Sequence, residues 1–186
     1  MDDNLYRAPQ ADLAAHDAAT PQPRYYVVSP RKFLIMSIAT LGYYNFYWTY
    51  RNWREIDNSV GGGGWPVMRG LFPLFFMLPL AALLQRSPQA QRGLRLRALA
   101  FVGLQLTSFL AATTGKVPGG MQFGQYEMLA AVGAAGALLT IQKSINAVSG
   151  DPEGAANDRL TGANWGWIAL GLVWWALSAN AILFPQ

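Results

Sequence analysis

Tyr47, Tyr50, Arg51 and Arg54 recur at three- and four-residue spacing, which would set two phenols and two guanidinium groups on one stretch of helix. Two cations with planar donor forks beside polar aromatic walls are suited to hold an anionic lipid headgroup or another anionic ligand. The plainer reading of the same residues is an aromatic belt with arginine anchors at a membrane–water interface. Glu127 is the only acid in or beside a long apolar run, and Gln105 stands in the preceding run. Deep in hydrocarbon that carboxylate would be costly and would mark a proton or cation site, whereas headgroup depth would make it ordinary.

Other chemistries are poorly served. The chain has no cysteine and one histidine, His16, in a polar N-terminal region. Thiol catalysis and disulfides are excluded, and a zinc centre or a Ser-His-Asp triad would rest on that single imidazole. Asp151 and Glu153 do not follow a calcium-loop pattern. Gly61 to Gly64 lack the Gly-Lys-Ser/Thr continuation of a phosphate loop and read as a hinge. Gln142, Lys143, Asn146, Asn157, Arg159 and Asn164 form a polar cluster better suited to capping helices than to binding. The expectation is no catalytic residue, no metal and no cofactor.

The elements that would position these residues are read from charge segregation. Charged residues are 13% of the 186 and hydrophobic ones 52%, with long uncharged runs between short polar clusters. That pattern predicts an all-α, polytopic transmembrane helical bundle of about five membrane segments, near 33–50, 66–85, 98–115, 121–145 and 165–184. The alternative is four crossings with a re-entrant first segment, because Gly42 can end a helix midway. Residues 1–28 are polar and proline-bearing, and are expected to form a disordered tail without a cleavable signal peptide. With five crossings and a cytoplasmic N-terminus, Arg24, Arg31, Lys32, the arginines of 86–97, Lys143 and Arg159 lie inside. Arg51, Arg54, Arg69 and Lys116 lie outside, a bias in the expected direction.

Thr40-Leu41-Gly42-Tyr43-Tyr44-Asn45-Phe46-Tyr47-Trp48 resembles the T-L-G-x-Y-x-x-Y-W signature of a bacterial domain-of-unknown-function family. The resemblance extends over about Phe33 to Asn58 and implies a small multi-pass membrane protein without an assigned activity. The leader Asn4-Leu5-Tyr6-Arg7-Ala8-Pro9 is similar to an N-P-Y-x-x-P opening of many bacterial membrane proteins. Together they imply the bacterial inner membrane and no particular chemistry.

Small residues suggest helix packing: Gly133 and Ala137 in the fourth segment, and Gly162 and Gly166 at the start of the fifth. Of the central pair Trp174 and Trp175, at least one is expected to pack against the alanine-rich fourth segment. The functional expectation is a non-catalytic integral membrane protein that packs with itself or a membrane partner. A small transporter, channel or lipid-handling protein is the alternative, and a membrane enzyme comes last. Anionic membrane lipids are the expected partners, a homo-oligomer is a further one, and nucleic acid is not expected.

Overall fold

The structure is a computed structural model and describes residues 22–183. His16, Arg7, the 4–9 leader and the last residue of the fifth segment lie outside them. Every regular element among the described residues is helical: α1 (Pro30–Ala39), α2 (Tyr44–Val60), α3 (Pro66–Leu71), α4 (Pro73–Leu84), α5 (Leu94–Thr114), α6 (Phe123–Val148) and α7 (Gly162–Leu183). Two of them, α5 and α6, are long and apolar enough to cross a membrane by length and composition.

The first expected segment is two helices rather than one. Pro30 opens α1 at its first turn, where its missing N–H costs nothing, and the Ser29 hydroxyl caps it by accepting from Lys32 N at 3.2 Å. At the other end the Thr40 hydroxyl donates to Met36 O (2.7 Å) and accepts from Tyr44 N (2.9 Å). One side chain thus closes α1 and opens α2. Leu41 and Gly42 between them take positive φ, 49° and 85°, which reverses the chain and suits glycine at the second position. α2 then runs back along α1. Ser37 donates to Asn45 (3.2 Å), and the Phe33 ring stacks edge-on against Trp48 at 5.6 Å.

The second expected segment, 66–85, is also broken. Phe72 sits at φ −120°, ψ 58° between α3 and α4, because Pro73 disfavours helical backbone in the residue before it and supplies no N–H. The remaining three expected segments correspond to α5, α6 and α7. A capping box between Gln122 and Gln125 starts α6, and Gly115 at φ 67° ends α5.

Part of the expected tail is instead a packed strap. Residues 22–29 are extended and threaded between α2 and α6, with Tyr25 and Val28 buried. Asn52, Gln142 and Asn146 have no exposed surface, and the strap satisfies them. Tyr26 N donates to Asn52 Oδ1 (3.1 Å), Gln142 Nε2 donates to Asn146 Oδ1 (2.6 Å), and Asn146 Nδ2 donates to Val28 O (2.9 Å). Trp48 Nε1 donates to Gln142 Oε1. A polar interior of this kind is stable only when its members are paired, and these are. Burial pushes the Tyr25 phenol up to about 12, with the Arg86 charge pulling the other way.

The same hydrogen bonds collect the connections at one end of the bundle. Arg24 N meets the Ser59 hydroxyl in the last turn of α2 (2.8 Å), Gln91 N meets Ser144 near the end of α6 (3.1 Å), and Ser29 N meets Asn157 O before α7 (3.3 Å). The chain therefore leaves this end through α1 and returns through α2, then leaves through α3 and returns through α4. From there α5 runs to the far end, α6 comes back, and α7 goes out again.

Candidate functional site

The basic–aromatic face of α2 exists, but much of it is already engaged. Arg51 donates to the Tyr47 hydroxyl (3.1 Å) and pairs with Glu55 (3.0 Å), and its guanidinium lies 4.5 Å from the centre of the Tyr26 ring. Arg54 donates to the Tyr50 hydroxyl at 3.3 Å and is exposed. Charge compensation by Glu55 and stacking on Tyr26 leave Arg51 a part in holding the strap. Arg69 is similar, paired with Asp57 (3.0 Å) and stacked 4.4 Å from the Trp53 ring.

Glu127 and Gln105 are brought together. Both line a cavity of about 850 Å³ at the far end, roofed by the Leu41–Phe46 turn and bounded by α5, the first turns of α6, and α7. Such a volume lies within the common range of about 300–1,000 Å³ for small-ligand sites. Glu127 Oε1 and Ser108 Oγ, both in the lining, are buried and have no hydrogen-bond partner in the protein. Among the described residues Glu127 forms no ion pair. Phe46, Phe123 and Trp174 supply aromatic wall, and Ala130, Ala131 and Ala134 supply room. Trp174 thus faces the alanines of α6 across the cavity, while Trp175 donates to Ile38 O of α1 (2.8 Å).

The expected packing residues divide. Gly133 meets Leu104 of α5, with 3.1 Å left for an added Cβ, and Ala137 is buried. Gly162 and Gly166 face open space, so within this chain they pack against no other helix. The close approach is at Gly171, where a Cβ would collide with the Ala39 carbonyl of α1. At 100° per residue Gly162 points about 180° from Gly171, so the glycine pair lies on the wrong side of its helix for this contact. Gly154 is the other missed glycine: it sits at φ 67°, and a Cβ there would lie 2.5 Å from Ser29 N in the strap. Its spacing in the sequence gives no hint of that neighbour.

Of the polar cluster, Gln142, Asn146 and Asn157 hold the strap. Asn157 Nδ2 donates to Val27 O at 3.0 Å, and Asn157 Oδ1 accepts from Lys32 Nζ at 2.7 Å. Asn164 Oδ1 caps α7 by accepting from Thr161 N at 2.9 Å. Among the described residues no group of His, Cys, Asp and Glu is placed to hold a metal ion. Comparison with known families, curated proteins and solved structures finds no match to the chain.

Proposed function

We propose that this chain is an integral protein of the bacterial inner membrane that binds a small, partly apolar cation in the Glu127 cavity, as a transporter or ligand-handling protein does. Membership of the family whose signature Thr40–Trp48 resembles is part of the proposal. Support for the membrane comes from the large apolar side chains left on the surface of the long helices. Leu99, Phe109, Leu129, Leu170 and Leu177 are all more than half exposed, and only 17% of the apolar window of α5 is buried. Apolar side chains exposed in that number on long helices call for lipid or a partner to cover them.

The connectivity favours three crossings, α5, α6 and α7, over five. α1 rises about 15 Å, half the roughly 30 Å hydrocarbon core, so the α1/α2 pair enters and leaves on one side. The α3/α4 pair does likewise. Lys116 then stands alone on the far side, with every other described Lys and Arg on the strap end or on the hairpin arms leading to it. That asymmetry is stronger than the bias of the five-crossing arrangement and supports a cytoplasmic strap end.

The observation that carries the ligand reading is the unpartnered Glu127 carboxylate oxygen in a cavity with aromatic walls. A buried acceptor without a donor costs roughly 1–3 kcal/mol, which a cationic ligand would recover; aromatic faces add cation–π attraction. The test is binding of tetraphenylphosphonium to the chain in lipid nanodiscs by equilibrium dialysis. Binding is expected for the native chain and at least tenfold weaker for Glu127→Gln. No binding, or equal binding by both, overturns the reading. Self-association is a second reading, favoured by the open Gly162/Gly166 face of α7, and cross-linking at Gly166→Cys tests it.

A further inference from the structure

A second cleft, of about 500 Å³, lies between the α1/α2 hairpin and the start of α7. Lys32 and Asn157 line it near the strap end, and Tyr43 and Phe46 line it at the hairpin tip. Its length therefore follows α1, about 15 Å. Lys32 is only 4% exposed, and its ammonium donates to Asn157 Oδ1 and to Arg159 O, each at 2.7 Å. Both acceptors are neutral. No carboxylate oxygen comes within the 4.0 Å of an ion pair, and the nearby Asp158 already accepts from the Ser29 hydroxyl at 2.6 Å. A buried ammonium with two of three donors used and no contacting counter-charge is an anion-binding group.

Two further features of the cleft point the same way. Tyr44 is 6% exposed, and its hydroxyl, beside that of Tyr26, makes no aligned hydrogen bond. Asn164 spends its oxygen on capping α7, which leaves its amide group as a donor at a helix N-terminus, the end that favours negative charge. Beyond these donors the wall is apolar, with Met36, Phe46 and Trp167. One polar pole with a cation that contacts no carboxylate, Asp158 acting on it only from a distance, and one apolar length match an amphiphile.

We propose that this cleft binds the phosphate headgroup of an anionic membrane lipid, with Lys32 facing the phosphate and the first part of an acyl chain lying along α1. The site rests on the membrane placement above; it shares Tyr43 and Phe46 with the wall of the Glu127 cavity but does not use Glu127. It also differs from the Arg51/Arg54 face, whose first arginine is neutralised by Glu55.

Native mass spectrometry of the delipidated full-length chain tests this with phosphatidylglycerol, phosphatidylcholine and inorganic phosphate. The expected result is one phosphatidylglycerol retained at least tenfold more tightly than phosphatidylcholine. Lys32→Gln is expected to remove that preference, and Glu127→Gln to leave it intact. Lys32 also holds the loop before α7, so Tyr44→Phe, which deletes one hydroxyl and keeps the ring, serves as the second variant and is expected to weaken retention several-fold. Equal retention of the two lipids, or a preference unchanged in both cleft variants, overturns the proposal. Displacement of the lipid by millimolar inorganic phosphate would make this a site for free anions and overturn the lipid assignment. Recovery of the native chain as a soluble monomer without detergent would instead defeat the membrane placement itself.

Discussion

The backbone N–H of Arg24 donates to the Ser59 hydroxyl at 2.8 Å, so two points 35 residues apart, one before α1 and one in the last turn of α2, lie at one end of the bundle. A chain whose first uncharged run crossed a membrane would place them about 30 Å apart on opposite sides. The absence of native cysteine makes the consequence easy to measure. Single cysteines at the exposed positions Asn58, Gln89, Glu153 and Lys116 are to be labelled with an impermeant maleimide in spheroplasts and in inverted vesicles. The first three are expected to react only in inverted vesicles and Lys116→Cys only in spheroplasts. Asn58→Cys reacting together with Lys116→Cys would restore a crossing first segment.

The sequence carries the break at Thr40–Gly42 but not its direction. Eighteen uncharged residues from Phe33 to Tyr50 satisfy the length of a span equally well whether the chain continues or doubles back. What decides is the Thr40 hydroxyl, bonded to both helices, and the Phe33–Trp48 stacking, neither of which has a periodic signature. The three long helices are legible because charge-free runs bound them. Glu127 and Gln105 are legible as polar residues in apolar runs, and their meeting depends on the antiparallel register of α5 and α6. Lys32 was invisible as a site: beside Arg31 at the start of a run it reads as a topology signal, and its neutral partners lie 125 residues and more away.

Asn146 joins α6 to the strap across 118 residues, with its amide donating to Val28 O at 2.9 Å and its oxygen accepting from Val28 N at 3.4 Å and from Gln142. Asn146→Ala would strand these partners in a fully buried site. At roughly 1–3 kcal/mol for each unsatisfied group, a loss of about 2–5 kcal/mol is expected. The strap should open first, because its own buried apolar side chains are few. Chymotrypsin cleavage at Tyr25 and Tyr26 in detergent is therefore expected to accelerate well before global unfolding, whereas Asn58→Ala at an exposed position should leave it unchanged.

Gly171 and Gly166 separate contact from composition on a single helix. A Cβ at Gly171 would collide with the Ala39 carbonyl and force α1 and α7 apart, whereas one at Gly166 meets nothing within 4 Å. Gly171→Ala is expected to destabilise the protein by about 1–3 kcal/mol, the usual scale of overpacking. Gly166→Ala should be neutral or stabilise by up to about 1 kcal/mol through helix propensity. Thermal unfolding of both variants in the same detergent measures the difference. Equal effects would mean that α7 does not approach α1 at Gly171.

Asp151 sets the pH dependence of the loop before α7. Its carboxylate oxygens accept from Ala155 N and Ala156 N, each at 2.9 Å, and these backbone donors hold its pKa below the usual 3.8. Because the folded value is the lower one, the contribution of this carboxylate is complete above the unfolded value and is lost as pH falls through the folded one. The consequence reaches the strap, since the same turn presents Gly154 against Ser29. Hydrogen exchange at Ala155 and Ala156, corrected for intrinsic rates, should show protection that is constant from pH 7 to about 5 and declines below the ordinary carboxylate range. Asp151→Asn should lower protection at those amides at pH 7 and remove the acid-dependent step. A native chain with no step, or a step retained in Asp151→Asn, would assign the acid response to another group.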